Sequence, residues 1–178
     1  MEKSCCQVYA AANGALTPAG NGCWDGLPQR ENDYFAFSGR VVKYLEKPGH
    51  AVTVSGVDGG TGGIFDLEIR YSRGETGYSS YELLVNGERQ SELLFESTGN
   101  SSMRSAVTKR VTAVLEKGTE NTICLRKAGK EDKGIFVDSF AVVPKKIKVT
   151  QNKYKNPDKA RWNLIRPCLR IPAFGSIY

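Results

Sequence analysis

Histidine is almost missing from this sequence: 178 residues contain one, His50. That excludes zinc-type sites built on several imidazoles. It also leaves a Ser-His or Cys-His nucleophilic centre with no partner that sequence places beside the base. The five cysteines do not fill the gap. Cys5 and Cys6 are adjacent and cannot give two tetrahedral ligands at the usual spacing, and Cys23, Cys124 and Cys168 stand alone. Their odd number leaves at least one free thiol. A bridge from Cys5 or Cys6 to Cys23 requires an oxidising compartment, whereas Cys124, inside an alternating segment, reads as a small buried apolar residue.

Long hydrophobic runs are absent as well. No stretch approaches the roughly 20 consecutive apolar residues that span a bilayer, so no membrane span is expected. Met1 to Cys6 lacks the apolar centre of a secretory signal. The expected compartment is extracellular if the chain is a mature form whose signal has been removed, and intracellular otherwise. No window sustains a helical hydrophobic period over three turns. The glycines between Gly59 and Gly63 open no helix, so they form a turn and not a phosphate cradle.

What is present is an ordinary globular composition, 40% hydrophobic and 25% charged, with 19 glycines that favour a turn-rich chain. The net charge of +6 is unevenly spread. Residues 145–178 hold nine Lys or Arg against the single acid Asp158, while residues 1–144 hold 16 basic and 18 acidic side chains. A mildly acidic domain over 1–144 is therefore followed by a basic tail over 145–178. In the tail, Tyr154, Trp162 and Phe174 interleave with the cations. Only that tail has the electrostatics to draw the chain to an acidic macromolecular assembly.

Alternation with period two runs through the first of these segments. Phe65, Leu67, Ile69 and Tyr71 share one face, with Asp66, Glu68, Arg70 and Ser72 on the other. Val52 and Val54 precede them, before the glycine turn. Tyr81 to Val85 leads into Asn86-Gly87, the strongest two-residue hairpin signal, and Leu93 to Phe95 returns. Val107 to Leu115, Asn121 to Leu125 and Ile135 to Val143 complete the set, while residues 17–33 read as one long polar loop holding Trp24. Strands at this spacing predict an all-β sandwich or barrel.

Several segments match a known order. Val41 to Val54, Gly63-Ile-Phe-Asp-Leu-Glu-Ile-Arg-Tyr71, Glu82-Leu-Leu-Val-Asn-Gly87, Leu115 to Ile123 and Phe136-Val-Asp-Ser-Phe140 succeed one another. This succession resembles the family 6 and family 35 carbohydrate-binding modules over roughly residues 8–143. The resemblance implies a jelly-roll β-sandwich of two antiparallel sheets, galactose-binding-like, that holds an oligosaccharide or polysaccharide for an attached or partner glycoside-active enzyme. It also implies two departures. Carboxylates that bind a structural calcium in such modules fall on Ala10 and Ala12, leaving Asp138 alone, so no calcium or other cofactor is expected. Asp138 is expected to hydrogen-bond backbone near the N-terminal strand instead. The ligand-contacting Trp position falls in Ser101 to Ala106, which has no aromatic, and the Asn position falls on Phe136.

A sugar site needs an aromatic face for ring C–H groups and polar groups for hydroxyls. Tyr78 is the expected replacement platform, with Trp24 and Tyr34 reaching the same end and Glu75, Asp132 and Lys133 supplying polar contacts. Each has a plainer reading: the aromatics as covers on the core, the charged residues as solvated loop positions. No catalytic residue is expected. A glycosidase-like carboxylate pair could be assembled from Asp25, Glu31 and Asp33, but acidic loop residues are abundant everywhere in such chains. Asn100-Ser-Ser102 fits the glycosylation rule. The alternative to sugar binding is a docking subunit that reuses the sandwich, with residues 145–178 as its anchor.

Overall fold

A computed structural model of the chain describes residues 6–17 and 28–145. These residues form β1 (Gln7–Ala10), β2 (Ala15–Thr17), β3 (Gln29–Asn32), β4 (Arg40–Lys43), β5 (Ala51–Val57), β6 (Gly63–Ser72), β7 (Tyr78–Val85), β8 (Glu88–Glu96), β9 (Val107–Leu115), β10 (Asn121–Lys127) and β11 (Phe136–Pro144). Two single 3-10 turns, Ala11–Asn13 and Met103–Ser105, are the helical structure among the described residues. One sheet runs β3-β4-β11-β6-β9, with β1 also pairing β11; the other runs β2-β5-β10-β7-β8. All pairing is antiparallel. The expected all-β sandwich is what the chain forms.

The core lies where the alternation put it. Phe65, Leu67, Ile69 and Tyr71 of β6 are buried and face Leu83, Val85, Ile123 and Leu125 of the opposite sheet, with Phe140 and Val142 beside them. Burying one such side chain contributes about 1.5–3 kcal/mol relative to leaving it in water. Phe95 stands between Tyr71 and Tyr81, edge-on to each at centroid separations of 4.7 and 5.3 Å. Asn86 and Gly87 both take positive φ, 52° and 84°, and close the β7–β8 hairpin with the twist the strands require.

Three expectations are corrected. Residues 17–33 are not one loop, because β2 ends at Thr17 and β3 occupies Gln29–Asn32, paired only to β4 among the described residues. An edge strand of sequence Gln-Arg-Glu-Asn buries no apolar face, so it gives no period-two signal. Cys124 is half-buried, not buried; it points away from the core, between Thr53 and Leu84 on neighbouring strands. Only Ala113 and Leu115 of β9 are buried, while Val107 is exposed.

Register decides which loops meet. Ser72 pairs with Phe136, Tyr71 with Val107, and Val42 with Val137. The β4–β5, β6–β7, β8–β9 and β10–β11 connections, each crossing from one sheet to the other, therefore gather at a single end of the sandwich.

Candidate functional site

At that end lies an open cleft of about 500 Å³. Glu46 comes from the β4–β5 connection, Arg73, Glu75 and Tyr78 from the end of β6 to the start of β7, and Asp132 and Lys133 from the β10–β11 connection. Four of the six residues expected to contact sugar are thus brought together from two loops more than fifty residues apart. The Tyr78 side chain is 63% exposed on the rim.

The floor is a fixed polar network. Arg73, 3% exposed, continues the inward-facing row of β6. Its Nη1 donates to the carbonyl of Glu75 and to those of Thr76 (3.2 Å) and Gly77 (3.0 Å), which hold the loop below Tyr78. Its Nε is buried without a hydrogen-bond partner, and Arg73 forms no ion pair among the described residues.

Across the cleft, Asp132 accepts from the Ser79 hydroxyl (2.8 Å), the Gly134 N–H (2.7 Å) and the buried Lys127 ammonium (3.1 Å). Burial by itself raises the Asp132 carboxyl, but the Gly134 N–H, Ser79 and Lys127 outweigh it and hold the group below the usual carboxylate range. Asp132 also ties two loops together, its N–H donating to the Glu46 carbonyl at 3.2 Å. Beneath it, the Tyr81 hydroxyl donates to the Leu45 carbonyl (2.6 Å) and accepts from the Ile135 N–H (3.0 Å). Burial pushes the Tyr81 phenol far up, so it stays a neutral donor. Gly134 sits at φ 59°, and a Cβ there would meet the Leu45 carbonyl oxygen at 2.5 Å. The loop can therefore close down only on glycine.

The remaining expected residues fall elsewhere. Tyr34, 93% exposed, stands on the β3–β4 connection and is not among the cleft residues. Trp24 lies outside the described residues, as do Asp25, Cys5, Cys23, Cys168 and all of the tail beyond Lys145. Glu31 is committed to Lys43 at 2.7 Å, and Asp33 accepts the Phe35 N–H at 2.9 Å, so both have structural partners. His50 is buried in the β4–β5 turn, its Nδ1 2.8 Å from the Tyr44 carbonyl oxygen; burial lowers its pKa from the ordinary 6.5 despite that contact. Sequence reasoning missed Arg73 and Glu46. Arg73 did carry a signal: it is a cation at an inward-facing odd position of an alternating strand.

The positions at which the resemblance implied ligand and calcium contacts have changed character. Phe136 and Met103 pack with Ala36 and Val41 in a small apolar cluster of their own. Asp138 does not reach the N-terminal strand. It is fully buried, pairs with Arg70 and accepts the Phe37 N–H at 2.8 Å, because the β3–β4 connection and not β1 lies over it. Its oxygens are thus taken by a guanidinium and an amide, and Ala10 and Ala12 are buried methyl groups, so the residues present do not fit calcium. Among the described residues, no three His, Cys, Asp or Glu side chains gather as a metal site.

No family model and no curated protein matches the sequence. Solved structures do match the fold. A family 35 carbohydrate-binding module from Clostridium thermocellum superposes with a TM-score of 0.65 at 20% identity, over 79% of this chain and 99% of that one. The family 35 module of Paenibacillus barcinonensis gives 0.65 at 21% identity, over 78% and 99%. The Podospora anserina GH26-CBM35 β-(1,4)-mannanase gives 0.63 at 18% identity, over 82% of this chain and 29% of that enzyme. At such identities the likeness is one of fold. The sandwich is built as family 35 carbohydrate-binding modules are built, which is what the succession of motifs implied.

Proposed function

We propose that this chain binds an oligosaccharide or polysaccharide, without catalysing its cleavage, in the cleft at the crossover end of a sandwich domain spanning residues 1–144. One observation carries the reading: Tyr78, Glu75, Asp132 and Lys133 line a single open cleft over a floor fixed by buried hydrogen bonds. In this role Tyr78 stacks on the C–H face of a sugar ring, and Glu75 and Lys133 bond its hydroxyls. Asp132 is already occupied by Ser79, Gly134 and Lys127, and holds the loop that presents Lys133. Likeness in fold to modules attached to glycoside-active enzymes supports the class of ligand and of partner.

Affinity electrophoresis through gels containing soluble polysaccharides tests this. Retardation by at least one of them, markedly weakened in Tyr78→Ala with unchanged circular dichroism, is the expected result. Free migration in mannan, xylan, galactan, β-glucan and pectin gels alike would end the proposal, and new reducing ends on incubation would end its non-catalytic part. The docking-subunit alternative rests on residues 145–178, of which only Lys145 is described.

A further inference from the structure

A second open space lies away from the cleft, on the side of the sandwich where the edges of the two sheets face each other. It is a groove of about 540 Å³, walled by β1 and the Asn13–Ala15 segment, by Thr53 to Ser55 of β5, and by Phe37 with Ser38. Both long walls are strand edges. Among the described residues, β1 pairs only with β11, and β2 pairs with β5 only as far as Thr53, so β5 beyond Thr53 has no described neighbour on this side. Gly14 makes the geometry close, for a Cβ there would strike the Thr53 carbonyl oxygen at 2.5 Å.

Two properties of the lining set its chemistry. Among the described residues it contains no carboxylate, lysine, arginine or histidine. It also combines a 60% exposed aromatic ring, Phe37, with side-chain hydrogen-bonding groups that the protein does not use: Asn13, Thr53 and Ser55 make no side-chain hydrogen bond among the described residues. Phe37 is presented rigidly. Its N–H is held by buried Asp138 at 2.8 Å, and Arg70 donates to the Phe35 carbonyl at 3.1 Å. Ala36 between them is buried against Met103. A buried carboxylate, its half-exposed Arg70 partner and an apolar anchor thus hold a loop that turns a phenyl ring toward solvent.

We infer that this groove is a second carbohydrate site, specific for an uncharged sugar unit, with Phe37 against the ring and Asn13, Thr53 and Ser55 on the hydroxyls. A neutral ligand suits it because no counter-charge is present, whereas an anionic unit would lose hydration without compensation. The groove is independent of the end cleft, so failure of one site leaves the other standing.

The test is amide NMR titration of the full chain with xylohexaose, mannohexaose, cellohexaose and β-1,4-galactohexaose. At least one of these should shift Asn13, Ser38 and Ser55 in a saturable way, with a Kd of roughly 1 mM as befits a single shallow subsite. Phe37→Ala should weaken those shifts at least 10-fold and Thr53→Val several-fold. Tyr78→Ala should leave them unchanged. Absence of groove shifts with all four sugars overturns the inference, as does Phe37→Ala titrating like the parent. Groove shifts produced only by an extended peptide such as a polyvaline-threonine hexamer would also overturn it, by showing the strand edges to be the recognised feature.

Discussion

The end cleft and the side groove of the same sandwich are built by opposite means. The cleft is charged, and its shape depends on a network in which Asp132 joins Ser79, Lys127 and the Glu46 carbonyl, tying three loops together, while Arg73 holds the β6–β7 loop on itself. The groove is uncharged, and its shape comes from strand edges and one pinned loop. A charged floor can orient a polar ligand strongly but ties the site to pH and to the survival of every partner. The described lining of the groove has no acidic or basic side chain, and its exposed members Phe37, Asn13 and Ser55 can be changed at little cost, whereas Ala10, Val54 and Gly14 belong to the packed sandwich.

The largest effect that would sharpen this contrast is expected from Asp132→Ala. It leaves the Lys127 ammonium buried without its counter-ion, and should cost about 3 kcal/mol in denaturant unfolding. Cleft binding should go with it, while groove shifts persist at temperatures where the protein stays folded. If Asp132→Ala is as stable as the parent, the Lys127–Asp132 pair does not hold the cleft floor together.

Next comes Gly134→Ala, which combines positive φ with the close Leu45 carbonyl and should cost about 2 kcal/mol by the same measurement. Tyr81→Phe removes a hydroxyl that bridges Leu45 and Ile135 and should cost about 1–2 kcal/mol, read as a lower thermal midpoint.

Acid should separate the two regions without mutation. The Asp132 carboxyl is held below its ordinary 3.8, so its contribution to stability is full above that value and disappears as pH falls through the lower folded one. His50, lowered from 6.5, adds a term of the same sign at higher pH: stability present above 6.5 declines as the unfolded chain takes up a proton that the buried ring resists. Thermal midpoints recorded from about pH 8 to about pH 2 should fall in two steps, the lower one reduced in Asp132→Asn, where Glu31 paired with Lys43 still contributes, and the upper one lost in His50→Asn. Cleft affinity should decline with the lower step before groove affinity does. The smallest effects on stability belong to the two aromatic rims. Tyr78→Ala and Phe37→Ala should each stay within ~0.5 kcal/mol of the parent, since both side chains are largely in water already.

Much of the fold was legible in the chain. Phe65 to Tyr71 pleats as its alternation requires, Asn86-Gly87 makes the hairpin, and the motif order matched the jelly-roll plan. Those are local rules, in which side-chain period and turn conformation act over a few residues. β3 was not legible, because an exposed edge strand is stabilised by backbone pairing that leaves no hydrophobic pattern.

Of the candidate site, Tyr78 and Glu75 could be placed on one loop and Asp132 and Lys133 on another from sequence. That the two loops share a cleft was decided by the register of β6 against β11. Arg73 under that cleft, the Arg70 guanidinium on Asp138, and the meeting of Phe37 with Thr53 and Ser55 across the groove are all contacts between residues far apart in the chain. Sequence determined which segments pleat and which side of each faces inward, since those depend on neighbours along the backbone. Which charges are paired, which rings are displayed and which hydroxyls are left over depend on neighbours in space, and only the packed sandwich supplies them.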